Sequence, residues 1–197
     1  MPTEPNLDPK ASLLLIESMI ARARNKMTEN GHLYLLWGWT IFACSIFHFV
    51  AIYFRLFERP EWIWGLTWAA LIYQFIYLAR QKKREKVRSY ADEISGYVWI
   101  TFVIMMFLTG IILSTNKDWP SMYPMFLVLY GMPTFLSGVV LRFQSLKLGG
   151  FACWVLAILA LFLDWPFQLL LLSAAVILAW IVPGYLLRWK HKTESND

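Results

Sequence analysis

Charged side chains are scarce in this chain and are absent from the centres of its long apolar stretches. Asp, Glu, Lys and Arg together make up 16% of the 197 residues, whereas apolar residues make up 58%. A soluble domain carries roughly 25% charged residues. The composition therefore excludes an ordinary soluble domain and is typical of a protein embedded in a membrane.

Motifs that carry chemistry are also lacking. The sequence contains no HExxH zinc motif, no GxSxG nucleophile elbow and no Gly-rich phosphate-binding loop. We therefore expect no catalytic residue, no metal site and no cofactor. The two cysteines, Cys44 and Cys153, both fall in apolar segments. A disulfide and simple packing of two small side chains both fit this placement, and packing is the commoner role.

The chain start does not have the pattern of a cleavable signal peptide. It begins MPTEPNLDPK, which is acidic and Pro-rich, and its first short apolar run is Leu13–Ile16. A signal peptide has a basic start followed by an apolar run of about 7–15 residues. We expect the first long apolar segment to serve as an uncleaved anchor.

Six apolar segments separated by polar loops dominate the rest of the chain. A helix rises about 1.5 Å per residue, so about 20 residues cross a hydrocarbon core of roughly 30 Å. The segments lack the strict alternation of barrel strands, so their backbones must be helical in lipid. The sequence predicts an all-α, polytopic bundle of six transmembrane helices: Leu33–Phe54, Trp62–Leu78, Tyr97–Leu113, Tyr123–Leu141, Gly149–Leu163 and Pro166–Leu187.

The fifth segment is the shortest of the six. Its length fits either a full span or a re-entrant or buried helix. A full span is favoured because the loop charges then alternate correctly. Fifteen of the 18 Lys and Arg residues then fall on one side of the membrane, and only Arg55, Arg59 and Lys117 fall on the other.

An excess of Lys and Arg marks cytoplasmic loops. The sequence therefore predicts a bacterial inner-membrane protein with both termini in the cytoplasm. The basic cluster between Arg80 and Arg88 is interpreted as a topology signal that contacts lipid headgroups, because it directly follows a span. Nucleic-acid binding is the weaker alternative, and we do not expect a nucleic-acid partner.

A separate amphipathic helix is predicted before the first span, within residues 9–30. Asp8 suits the N-cap position and Pro9 the first helical position. Two interpretations fit: an arm that binds a partner protein or a neighbouring subunit, and a helix lying in the lipid headgroup layer. The chain thus divides into an arm (residues 1–30), a membrane domain (31–190) and a polar tail (191–197). The apolar stripe of the arm contains Leu13, Ile16, Ile20 and Met27.

Polar and helix-breaking residues inside the spans are the candidates for function. Proline at position 133 in the fourth span and at position 183 in the sixth frees backbone groups, as happens at transporter binding sites. A static kink and interhelical hydrogen bonds made by His48 are the alternatives. Candidate ligand-binding residues are His48, Gln74, Tyr130, Pro133, Thr134 and Ser137.

Small residues spaced four apart predict faces where helices pack closely. Four such faces occur in the predicted spans, at Gly65/Ala69, Thr134/Gly138, Gly149/Cys153/Ala157 and Ala175/Ala179.

Three stretches carry a loose resemblance to a known class of proteins. They are YLLWGW (Tyr34–Trp39), YGMPTFLSGVVLRF (Tyr130–Phe143) and LGGFACW (Leu148–Trp154). Together they resemble uncharacterised small multi-pass bacterial inner-membrane proteins. The resemblance implies a six-helix membrane protein and assigns no activity and no site residue.

From these patterns we expect a non-enzymatic membrane protein that acts as an interaction or regulatory subunit and associates with itself. The expected partners are membrane lipid and either a second copy or another protein, bound through the N-terminal arm. One alternative is a small transporter or apolar-ligand binder that uses the fourth and sixth spans. A further alternative is a haem or quinone redox protein.

The predicted topology can be tested by thiol labelling in intact cells. In a background lacking Cys44 and Cys153, single cysteines replacing Glu58 and Asn116 should react with a membrane-impermeant reagent. A cysteine replacing Ser195 should stay protected, because it lies in the predicted cytoplasmic tail. Labelling at position 195 without labelling at position 116 would overturn the topology.

Overall fold

A computed structural model describes the backbone of residues 9–84 and 90–194, and the side chains of residues 31–80 and 94–189. All regular secondary structure in these ranges is helical, which confirms the predicted all-α class. The helices are α1 (Pro9–Tyr53), a 3-10 helix (Pro60–Trp64), α2 (Gly65–Arg84), α3 (Tyr90–Thr115), α4 (Met122–Val140), α5 (Gln144–Ala160), α6 (Trp165–Val176), a π-helical segment (Ile177–Ile181) and α7 (Val182–Glu194).

In the part of the chain that the structure describes, five helical stretches are long and apolar enough to cross a membrane. They are Gly31–Tyr53, Pro60–Arg80, Ile94–Thr115, Met122–Val140 and Trp165–Trp189. The last combines α6, the π-helical segment and part of α7, and we call it the sixth span. The predicted fifth segment corresponds to α5, a shorter apolar helix of 17 residues. At 1.5 Å per residue it is about 26 Å long, a little less than the hydrocarbon thickness.

Helix α1 differs from the sequence prediction. The sequence predicted a separate arm ahead of the first span, whereas α1 runs without a break for 45 residues through both. The predicted boundary between residues 30 and 31 lies inside the helix. A Cβ added to Gly31 would be 3.6 Å from the Gly184 carbonyl oxygen, so this glycine lies where α1 approaches α7 closely. It supports a helix contact and does not end the helix.

The core of the molecule is built by α1, α4, α5 and the sixth span. These helices pack mainly against one another, whereas α2 contacts α1 and α3 contacts chiefly α4. Half of the most apolar window of α4 is buried, compared with 6% for α2 and 0% for α3. The described helices therefore form a packed core of α1, α4, α5 and the sixth span, and α2 and α3 lie at its periphery.

Glycine allows the core helices to approach closely. A Cβ on Gly149 of α5 would lie 2.7 Å from the Ala179 Cα atom in the sixth span. A Cβ on Gly150 would lie 2.8 Å from the Gly131 carbonyl oxygen of α4. On α1, a Cβ on Gly38 would collide with the Ile181 side chain. A methyl group at any of these positions would push two helices apart.

The two proline-containing spans behave differently. Pro133 lies within α4, which continues as one α-helix to Val140. In the sixth span, the irregularity is the π-helical turn Ile177–Ile181, directly before α7 and Pro183. Proline disturbs the hydrogen bonds of the turn that precedes it, which explains this position.

Three helices end in the same way, with a basic residue in the left-handed conformation. Arg55, Lys117 and Arg142 have φ values of 50°, 56° and 50°. At the last of these ends, Phe143 N donates to the Gly138 carbonyl at 2.9 Å and Arg142 N donates to Val139 at 3.2 Å. This Schellman pattern satisfies free carbonyls at the helix end, and the cation complements the helix dipole.

The glycine contacts predict a large difference between two alanine substitutions. Gly149→Ala should lower the free energy of unfolding by about 1–3 kcal/mol, because the new methyl group meets the backbone of the sixth span. Gly110→Ala is the control, since nothing lies within 4 Å of its Cβ position and alanine favours helix. Denaturant titration in detergent micelles measures both. Equal stability of the two variants would contradict the close contact.

Candidate functional site

Aromatic and hydroxyl side chains form a cluster where α4 meets the π-helical segment. The Trp180 Nε1–H group donates to Thr134 Oγ1 at 2.9 Å, and the Thr134 hydroxyl donates to the Tyr130 carbonyl at 2.8 Å. The Tyr130 and Trp180 rings lie 4.7 Å apart, centroid to centroid. All three residues are buried. The Thr134 hydroxyl thus satisfies a backbone carbonyl near Pro133 and an indole N–H from another helix.

The cluster extends to α1 and α3. The Trp99 ring of α3 is 5.7 Å from Tyr34 and 6.4 Å from Trp180. The Tyr34 hydroxyl lies beside Ser137, whose buried hydroxyl makes no hydrogen bond of standard geometry. The Thr134/Gly138 face, which the sequence predicts to pack closely against another helix, is buried together with Ser137.

Pro133 is also fully buried. The candidate residues Tyr130, Pro133, Thr134 and Ser137 are therefore brought together as one packed cluster. Their contacts are with other side chains of the core.

His48 lies in a second, separate cluster. Its Nδ1 atom accepts a hydrogen bond from Trp64 Nε1 at 3.0 Å, and the Tyr123 hydroxyl is 3.4 Å from the same atom. Because an indole N–H can only donate, Nδ1 is the acceptor and Nε2 carries the proton. His48 Nε2 is buried and has no hydrogen-bond partner. The prediction that His48 makes hydrogen bonds between helices is confirmed.

Gln74 occupies a third position. Its Oε1 atom accepts a hydrogen bond from Trp37 Nε1, which links α2 to α1. Trp37 and His48 are eleven residues apart on α1, which corresponds to about 16 Å along the helix axis. The structure therefore places His48 and Gln74 at different depths and does not bring them into one cavity.

Metal-ligating side chains are dispersed in the described part of the chain. Residues 31–80 and 94–189 hold no group of three or more His, Cys, Asp or Glu positioned to bind a metal ion. Cys44 and Cys153 are both free and buried. The Cys44 thiol lies 3.4 Å from the Ile63 carbonyl oxygen, to which it donates. Both cysteines contribute to packing.

The interaction-arm residues lie outside the described side chains. These residues are Leu13, Ile16, Ile20 and Met27.

Three of the four predicted small-residue faces are filled by neighbouring helices. The faces at Thr134/Gly138, Gly149/Cys153/Ala157 and Ala175/Ala179 are buried in the core. The fourth face, Gly65/Ala69 on α2, is exposed, and nothing lies within 4 Å of a Cβ placed on Gly65. Ile72 and Ile76 continue the same exposed face one and two turns further along. We call Gly65, Ala69, Ile72 and Ile76 the open face of α2.

Tryptophan side chains make hydrogen bonds between helices that the sequence analysis did not predict. Indole N–H groups join α1 to α2, the 3-10 helix to α1, α5 to α4 and the π-helical segment to α4. An indole N–H that is shielded from water needs an acceptor, so each of these hydrogen bonds links a pair of helices. The available signal was the abundance of tryptophan, with 11 in the chain, but the sequence did not identify the acceptors.

Comparison with protein-family models, with curated proteins and with solved structures returned no match.

The Trp180–Thr134 hydrogen bond predicts a specific loss of stability. Thr134→Val keeps the side-chain shape but leaves the buried Trp180 N–H without an acceptor. We expect a loss of about 0.5–2 kcal/mol, the range for hydrogen bonds between membrane helices. Thr115→Val is the matched control, since Thr115 makes the same bond to the carbonyl four residues earlier but is exposed. Equal losses in both variants would show that the indole contact contributes nothing.

Proposed function

We propose that this chain is a non-enzymatic, six-span protein of the bacterial inner membrane that acts as an interaction subunit and associates with itself through α2. Five sufficiently long apolar helices and the shorter α5 support six crossings. The uneven distribution of Lys and Arg supports cytoplasmic termini. The role as an interaction subunit depends on the surface that the core leaves unfilled.

The open face of α2 carries the proposal. Lipid tails are as apolar as the helices, so helices associate in a membrane through close packing and hydrogen bonds. Small residues spaced four apart provide such packing, and the chain fills every predicted small-residue face except Gly65/Ala69. A second α2 helix from another copy is the simplest partner. Two copies then form a symmetric dimer in which the same face is used twice.

Helix α3 offers a different kind of surface. Its outward side chains are large, and Ile100, Phe107 and Ile112 are all exposed. Bulky apolar side chains such as these suit contact with lipid tails. We therefore assign the outer face of α3 to lipid and the open face of α2 to protein.

The two alternative functions lack comparable support. A transporter site was expected beside Pro133, but Pro133 and Thr134 are fully buried against neighbouring side chains. A redox role depends on His48, whose Nδ1 atom accepts from Trp64 while Nε2 carries the proton, so neither ring nitrogen offers a free lone pair. Binding of a partner through the N-terminal arm stays a prediction.

Self-association can be measured by single-molecule subunit counting in reconstituted bilayers. The double variant Gly65→Leu/Ala69→Leu fills the open face, and we expect the dissociation constant of the dimer to rise about tenfold or more. Gly110→Leu on α3 is the control, because its Cβ position is equally unobstructed but lies outside the open face. Unchanged dimerisation of the double variant would disprove the assignment to α2.

A further inference from the structure

A groove of about 320 Å³ opens between α1, α2 and α7. It lies at the end of the bundle that carries Arg80 and Arg188, which we call the basic edge. Its lining includes His32 and Trp39 of α1, Tyr73 of α2, and Tyr185 and Arg188 of α7. The groove belongs to none of the three clusters described above and shares no residue with the open face of α2.

Hydrogen bonds inside the groove determine which groups can meet a ligand. Arg188 Nη2 lies 2.8 Å from His32 Nδ1, and arginine can only donate, so Nδ1 is the acceptor. The imidazole proton is then on Nε2, which donates to the Tyr73 hydroxyl oxygen at 3.0 Å. The Tyr73 O–H group is thereby left to donate into the groove.

The same reasoning applies on the other side of the groove. Trp39 Nε1 donates to the Tyr185 hydroxyl oxygen at 3.3 Å, so the Tyr185 O–H group also has its proton free. Arg188 keeps further N–H donors beyond the one used by His32. The groove therefore presents donors from three side chains, and their natural ligand is a group that only accepts hydrogen bonds.

Charge points to the same ligand. Among the described side chains, the Arg188 guanidinium group is hydrogen-bonded to a neutral imidazole, and this contact does not compensate its charge. The planar guanidinium group matches the geometry of a phosphate oxygen pair. An anionic phosphate is therefore favoured over a neutral acceptor.

The apolar wall of the groove extends deeper into the bundle. Leu36 and Trp39 line the groove four and seven residues beyond His32 on α1. At 1.5 Å per residue they lie about 6 and 10 Å further from the basic edge. A ligand that fits both parts has an anionic head and an apolar tail.

We propose that this groove binds one anionic phospholipid, with the phosphate held by Arg188 and Tyr73, the Tyr185 hydroxyl donating to an ester oxygen of the same lipid, and an acyl chain lying along Leu36 and Trp39. Basic pockets between transmembrane helices at the cytoplasmic side bind such headgroups in other membrane proteins. The site requires insertion in a membrane but does not depend on self-association through α2.

Native mass spectrometry of the detergent-solubilised full chain tests the site. The probe is an equimolar mixture of phosphatidylglycerol and phosphatidylcholine with identical acyl chains. We expect one phosphatidylglycerol to be retained with about tenfold preference, the size expected of one hydrogen bond to a charged group. Arg188→Gln should abolish the preference, while Arg188→Lys should keep part of it because the charge remains.

Arg142→Gln is the matched control, since it removes an exposed arginine at the same edge but outside the groove. It should retain the wild-type preference. A preference that survives Arg188→Gln, or that is lost equally in Arg142→Gln, would overturn the site. Sodium phosphate at the same concentration as the lipid mixture should fail to displace the lipid. Complete displacement would show that the groove binds a free anion.

An unchanged thermal unfolding midpoint verifies that the Arg188→Gln variant is folded.

Discussion

Close approach of helix backbones at small residues is the constraint on which the rest of this structure depends. Membrane helices gain little from excluding lipid, so packing and hydrogen bonds must hold them together. Gly149 against Ala179 and Gly150 against Gly131 bring α5 within direct backbone contact of the sixth span and of α4. Helices this close allow tryptophan side chains to reach acceptors on the neighbouring helix, as Trp180 reaches Thr134.

The same constraint separates the core from its periphery. Helices whose small-residue faces find a partner within the chain form the core, while α2 and α3 remain at the edge with almost none of their apolar windows buried. We propose that the two peripheral helices have different partners, because the open face of α2 begins with the small residues Gly65 and Ala69 whereas the outer face of α3 carries mostly large side chains. In this proposal α2 contacts another helix, α3 contacts lipid tails, and the groove beside Arg188 binds a lipid headgroup.

The sequence predicted what depends on composition and on spacing along one helix. The helical class, the approximate bounds of most spans and the burial of the Ala175/Ala179 face follow from local pattern, and each agrees with the structure. Contacts between helices were not predictable. The partners of His48 and Gln74 are 16 and 37 residues away, and such pairings depend on how each helix is rotated. The predicted break between residues 30 and 31 was wrong, because α1 is continuous there and the contact of Gly31 with α7 is visible only in three dimensions.

Intermolecular cysteine cross-linking in native membranes tests the open face of α2 most directly. In a chain lacking Cys44 and Cys153, a cysteine at Ala69 should form a disulfide-linked dimer under mild oxidation. Helices packed at small residues bring such Cα atoms within the roughly 7 Å that a disulfide spans. A cysteine at Leu159, which is also exposed but lies on α5, should stay monomeric. Absence of a dimer at position 69, or an equal yield at position 159, would contradict self-association through α2.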